Sequence, residues 1–144
     1  MAIILSNNVA STLLSAIGTG DASLVLASGD GALFPSPTGS DHFYITVVET
    51  SGSLEIMKVT SRSSDTLSIT RAQDGTAAAS FTAGAKVEMR INAASIEDAV
   101  SEATANIVTS AGATGGPGSA GAGKQYIAIT VGGTTYKVLH DGTT

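Results

Sequence analysis

The chain has no cysteine and no tryptophan, and only three phenylalanines and three tyrosines among its 144 residues. Without thiols there is no disulfide framework, no thiolate nucleophile and no thiolate zinc site. Charge is scarce as well: 13% of the residues are charged, against roughly 25% in an ordinary globular protein. A surface that is small, neutral and hydroxylated lacks the charge that keeps a free monomer soluble, so part of it is expected to lie under a partner subunit. The seven basic residues are scattered and outnumbered by twelve acidic ones, for a net charge of −5 and a pI near 4.7. That balance argues against nucleic acid, whose affinity comes largely from Lys and Arg neutralising phosphates. Nor is a membrane expected as a partner: no stretch approaches the roughly 20 apolar residues that span a bilayer. The opening MAIILSNNVASTLLSAIG lacks a basic n-region, and Ser6, Asn7 and Asn8 interrupt it before an apolar run develops.

Catalytic constellations are missing in the same way. His42 adjoins Asp41 and His140 adjoins Asp141, but neither belongs to a HExxH or HxH spacing that sets two imidazoles on one metal. Both histidines are read as solvent-facing loop residues. No Gly-x-Ser-x-Gly elbow is present. Gly121-Ala122-Gly123-Lys124 is followed by Gln125 rather than the Ser or Thr of a phosphate loop. The glycine-rich run also follows a helix and precedes a strand, the reverse of a dinucleotide fingerprint. Asp21, Asp30, Asp65 and Asp74 sit beside Gly or Ser in turns, where Asx turns account for them without calcium. No catalytic residue, cofactor or metal is expected.

What is present is mainly β. Residues 69–91 read ITRAQDGTAAASFTAGAKVEMRI, and at their end Val87, Met89 and Ile91 alternate with Lys86, Glu88 and Arg90. That period of two puts apolar side chains on one sheet face and charges on the other, so a strand is expected over 86–91. Upstream, residues 23–27 (SLVLA), 42–48 (HFYITVV), 54–60 (LEIMKVT) and 66–70 (TLSIT) read as short strands. Gly-, Ser-, Asp- and Pro-rich turns separate them, including the loop Pro35-Ser36-Pro37-Thr38-Gly39. Residues 1–94 are therefore expected to form one antiparallel β-domain, a small barrel or sandwich.

The period then changes. Residues 95–109 read as one short α-helix, with Ser95 as its N-cap and Glu97 and Asp98 at the positive end of its dipole. Ile96, Val100, Ala103 and Ile107 are spaced four, three and four, a single a/d stripe over about two heptads. So short a helix is barely stable alone in water; the stripe must pack on the chain's own sheet or on copies of itself around a symmetry axis, as a homotrimer. Residues 110–124 are nearly all Gly, Ala and Ser, the composition of a tether. In residues 125–144, YIAITV and TTYKVL flank Gly132-Gly133, a hairpin with a two-residue turn. That turn sets Ile127 against Val138 and Ile129 against Tyr136 on one apolar face. A lone hairpin is marginal in water, so this one is expected to dock, either on a partner or back onto its own domain.

Several of these residues carry a family resemblance. Gly31-Ala32-Leu33-Phe34-Pro35, Phe43-Tyr44, residues 55–60 (EIMKVT), residues 67–76 (LSITRAQDGT) and residues 83–88 (AGAKVE) together resemble a β-domain that recurs in tailed-bacteriophage virion proteins, often at the start of tail-fibre-like chains. The closing hairpin is similar to those of small phage accessory proteins. The resemblance implies that Arg71, Gln73, Gly75 and Thr76 form a structural turn, with Arg71 bracing a loop rather than reacting. It implies a non-enzymatic virion protein. With no repetitive shaft or receptor-binding tip before Thr144, a capsid decoration or cement protein is expected, bound to the major capsid protein or another virion protein on the capsid exterior. A tail or tail-fibre adaptor is the alternative, and a virion-associated cell-wall hydrolase a remote one.

Overall fold

The computed structural model describes residues 2–108, 125–131 and 134–140. Six strands form one antiparallel sheet: β1 (Ala10–Thr12), β2 (Ser23–Val25), β3 (Phe43–Val48), β4 (Leu54–Ser63), β5 (Thr66–Gln73) and β6 (Lys86–Glu88). Helix α1 (Ala93–Val108) follows, and a hairpin of β7 (Gln125–Val131) and β8 (Thr134–His140) makes a separate two-stranded sheet. The chain divides into two compact units, Met1–Ala99 and Val100–Thr144. The expected tether at 110–124 and the Gly132-Gly133 turn lie outside the described residues.

In the first unit β3, β4 and β5 form the meander that their period-two patterns predict, with Ile45 opposite Met57 and Val59 opposite Ile69. The full strand order is β1-β6-β3-β4-β5-β2, so the outer strands do not follow chain order. The sheet curls into a half-barrel whose two edges touch at one bridge, Leu13 opposite Leu26. Around that bridge the Leu14 N–H donates to the Val25 carbonyl and the Ala27 N–H to that of Thr12, both at 2.8 Å. Curling gives the sheet an inside. Phe43, Ile45 and Val47 of β3, Met57 and Val59 of β4, Leu67 of β5 and Val87 of β6 are all fully buried there. Phe34 joins them with its ring 6.3 Å from that of Phe43.

Two sequence expectations give way here. The strand expected over 86–91 ends at Glu88, because Glu88 is paired with Ala10, the first residue of β1. One more ladder bond forms, from the Met89 N–H to Val9 O, and Asn8 then takes a left-handed conformation with φ 55°. Ile91 is left 77% exposed. Strand β1, in the opening segment, is the second partner of β6, which pairs with β3 on its other side.

The helix also starts earlier than its expected cap. Ser95 is the third residue of α1, and Asn92 is the cap: the Ser95 N–H donates to Asn92 Oδ1 at 2.8 Å while the Asn92 N–H donates to Ser95 Oγ at 3.0 Å. This is a capping box in which Ser takes the place usually held by Glu. In the second unit the β7/β8 register sets Ile127 opposite Val138, Ile129 opposite Tyr136 and Val131 opposite Thr134, the pairing expected of a two-residue turn.

Candidate functional site

Two polar clusters in the first unit hold its less regular segments, and each grows from a strand position that the hydrophobic pattern marks as unusual. The first lies on the core face. Glu55 shares its side of β4 with Met57 and Val59, and Arg71 shares its side of β5 with Leu67 and Ile69. Glu55 is fully buried and Arg71 is 10% exposed. Their side chains form a fork: Arg71 Nε donates to Glu55 Oε1 at 2.9 Å and Nη2 to Oε2 at 2.7 Å. Bidentate geometry suits a guanidinium, whose donors are fixed in one plane.

The remaining valences of both groups go to backbone. Arg71 Nη2 also donates to the Ala79 carbonyl at 2.5 Å, and Nη1 to those of Gly18 at 2.5 Å and Asp21 at 3.4 Å. Glu55 accepts from the N–H of Ala72 at 2.8 Å and of Ala79 at 2.9 Å. Burial pushes the Glu55 carboxyl upward, but the bonds from Arg71, Ala79 and Ala72 outweigh it and hold it below the usual glutamate value. With every donor of Arg71 and both oxygens of Glu55 committed, neither group is positioned to take part in a reaction. Together they clamp the 18–21 loop and the 77–82 segment to the sheet.

The clamp needs a β-bulge. Ile56 is opposite Gln73 and Lys58 opposite Thr70, so Arg71 and Ala72 together face Met57 alone. Ala72 takes φ 56°, which turns its N–H toward Glu55. Beyond the bulge, Gln73 Nε2 donates to the Arg71 carbonyl at 2.7 Å. Thr76 Oγ1 donates to the Gln73 carbonyl at 2.7 Å and accepts from the Ile56 N–H at 3.1 Å. Gly75 supplies φ 75°, a conformation that side chains other than Gly resist. Arg71, Gln73, Gly75 and Thr76 are thus brought into one bonded turn.

The second cluster lies on the outer face of β3, at the root of α1. Tyr44 Oη donates to Asp98 Oδ2 at 2.8 Å, and His42 Nε2 lies 2.7 Å from the same oxygen. His42 is 1% exposed, which overturns the reading of a solvent-facing loop histidine. Its burial follows from its place one residue before β3, where α1 covers the outer face, and its ring meets that of Tyr44 edge-on at 5.4 Å. Burial first, and then the bond to the Asp98 carboxylate, push the Tyr44 hydroxyl up to about 12. Burial opposes ionisation of Asp98, yet the bonds from Tyr44 and His42 hold its carboxyl below the ordinary aspartate value. His42 Nδ1 and Asn92 Nδ2 are buried and make no hydrogen bond.

No protein-family model matches this chain, and no curated protein does. The functional reading therefore rests on residues. The first turns of the helix dock through Asp98, with the capping Ser95 buried beside it, while Ile96 and Val100 are 55% and 58% exposed and Ala103 is exposed too. Ile107 lies in the last turn of α1 and Ile127, Ile129, Tyr136 and Val138 in β7 and β8; their side chains lie outside the described residues. His140 belongs to β8 rather than to a loop. Among the described residues no group of three or more His, Asp or Glu side chains is arranged to hold a metal ion. No described helix is long and apolar enough to cross a membrane.

Sequence reading missed Glu55 and Asp98. Glu55 had left a signal, since a carboxylate in phase with Met57 and Val59 must find a cation in phase with it on a neighbouring strand, and Arg71 is that cation. Asp98 left none, because its partners stand 54 and 56 residues away and only the docking of α1 brings them together.

Proposed function

We propose that the chain is a non-enzymatic structural protein of a tailed-phage virion, a decoration or cement protein that binds the head lattice from outside. The observation that carries the reading is the orientation of α1: Asp98 bonds to Tyr44 and His42 at the outer face of the half-barrel while Ile96, Val100 and Ala103 are exposed. A helix that exposes its apolar stripe at the root of a β-domain is arranged for assembly. Copies of the chain associate through that stripe as a homotrimer, and the C-terminal hairpin docks on the major capsid protein or a neighbouring virion component. The resemblance of residues 31–35, 55–60 and 67–76 to phage virion β-domains supplies the setting. The commitment of Arg71 and Glu55 to each other and to backbone supports a bracing role for the most conspicuous polar motif.

The experiment is localisation of the protein in purified virions by cryo-electron microscopy, with a chain shortened by residues 111–144 as its partner. Density on the capsid exterior, lost with the shortened chain while residues 1–110 remain folded, is the expected result. Density at the tail replaces this reading with the tail-adaptor one. Cleavage of peptidoglycan on a zymogram, abolished by His42→Ala, would instead make it a cell-wall hydrolase.

A further inference from the structure

Two segments far apart in sequence close on the same end of β3. Residues 2–7 attach there by backbone: the Ile4 N–H donates to the His42 carbonyl at 2.8 Å and the His42 N–H to the Ala2 carbonyl at 3.0 Å, around the isolated parallel bridge of Ile3 with His42. The Ala2 N–H also donates to Asp41 Oδ1 at 2.9 Å. The root of α1, residues 92–99, attaches by side chain, with Asp98 Oδ2 accepting from Tyr44 Oη at 2.8 Å and standing 2.7 Å from His42 Nε2. His42 thus holds one segment by its backbone and the other by its ring, and it is 1% exposed. The two segments also share a groove, to which Leu5, Ser6 and Asn7 contribute from one and Ser95 from the other, with Tyr44 in its lining.

We propose that residues 2–7 and the root of α1 form one cooperative latch joined at His42, which opens as a unit while the rest of the half-barrel stays closed. Neither attachment is strong by itself. A two-stranded hairpin is already marginal in water and a single bridge has fewer bonds still, while a short helix depends on what it packs against. Each segment shelters the bonds of the other, and a hydrogen bond away from water is the stronger one. Lifting the root of α1 leaves the buried His42 ring and Tyr44 hydroxyl without Asp98 and lets water reach the bridge. Lifting residues 2–7 removes the wall of the groove that faces Ser95. The rest of the sheet is held elsewhere, by the Glu55–Arg71 clamp on Gly18, Asp21, Ala72 and Ala79 and by the Leu13–Leu26 bridge. Contiguous units of this kind open below the global unfolding free energy. The latch belongs to the first unit and holds whether or not the chain is part of a virion.

The test is native-state amide exchange of the full chain, with one variant in each attachment. Asp98→Ala removes both bonds at the root of α1, and Asp41→Ala removes the acceptor of the Ala2 N–H. Each should speed exchange at Ile4, His42, Ser95 and Ile96 together, by about 10-fold or more, because a coupling between two segments is the same read from either side. The amides of Leu26 and Ile69, bonded to the carbonyls of Asp65 and Ala22, should keep their wild-type rates. Tyr44→Phe removes one bond and keeps the ring, so it should act on the same four amides more weakly. If Asp98→Ala speeds only Ser95 and Ile96, or Asp41→Ala only Ile4 and His42, the segments open independently and the latch is wrong. Leu26 and Ile69 speeding by the same factor would make the opening global, which overturns it equally. Should Asp98→Ala fail to fold, Asp41→Ala and Tyr44→Phe decide by the same criterion.

Discussion

Replacing Arg71 with Met tests the clamp most directly. The variant keeps most of the side-chain volume but leaves Glu55, which is fully buried, with two backbone N–H donors and no counter-charge. Breaking a buried ion pair by removing one partner costs about 3 to 5 kcal/mol, and no discount for solvent screening applies at 0% and 10% exposure. In a unit of this size each kcal/mol moves the melting temperature by about 4 to 8 °C, so the loss should be roughly 12 to 40 °C. Arg71→Lys retains the charge but cannot span both Glu55 oxygens and the carbonyls of Gly18 and Ala79, so it should fall between Met and the wild type. Thermal and urea unfolding followed by circular dichroism measure both. The pH dependence separates charge from packing. The folded Glu55 carboxyl is held below its ordinary value, so its stabilisation is fully present above about pH 4.3 and is lost as pH falls through the folded value. Without the guanidinium that stabilisation is largely absent, and the gap between wild type and Arg71→Met should narrow in acid. A loss under about 1 kcal/mol, the range of an exposed pair, or a gap that does not narrow, would refute the clamp.

Three further outcomes follow from the same structure. Gly31→Ala would place a Cβ 2.0 Å from the Ser64 carbonyl oxygen, so it should destabilise the first unit by about 3 kcal/mol or more, read as a fall in the urea midpoint. Asn92→Ala removes the Oδ1 that accepts from the Ser95 N–H and should cost about 0.5 to 2 kcal/mol, seen as faster amide exchange in the first turn of α1 with little change in the sheet. Burial is the main reason the Tyr44 hydroxyl is pushed up to about 12, and the Asp98 carboxylate adds to it, so ultraviolet titration of Asp98→Asn should find that phenol shifted only part of the way back toward about 10. In the wild type the Asp98 bonds stabilise the docked helix above about pH 3.9 and are lost as pH falls through its depressed folded value, so α1 should loosen before the sheet unfolds in acid.

The meander and the hairpin were legible in the sequence because their information is local. Alternation in 43–48, 54–60 and 66–70 fixes which residues face the core whatever their neighbours are, and a two-residue turn fixes a hairpin register by counting. The phase of Glu55 and Arg71 was there to be read as well, since a charge in step with Met57 and Ile69 signals a buried pair. What lay beyond reading was any feature needing two distant segments. A three-residue strand such as β1 carries too little pattern to be told from loop, and β6, legible from its alternation, stops where β1 runs out rather than where that alternation does. The helix boundary moved to Asn92 because a cap is decided by which side chain reaches which N–H.

By itself, then, the sequence determined the mainly β character of the first unit, the inward residues of its central strands, the existence of α1 and the register of the C-terminal pair, all set by periods of two and 3.6 and by turn chemistry. Tertiary structure alone decided the strand order, the curl that brings Leu13 to Leu26, the burial of His42 and the face by which α1 docks. The last two depend on a carboxylate at position 98 meeting Tyr44 of β3 and His42 just before it. The buried Tyr44 hydroxyl and His42 need a polar partner, which Asp98 supplies, and leaving them unpaired would cost more than an exposed aliphatic, so the polar side went in and the apolar stripe was left facing out.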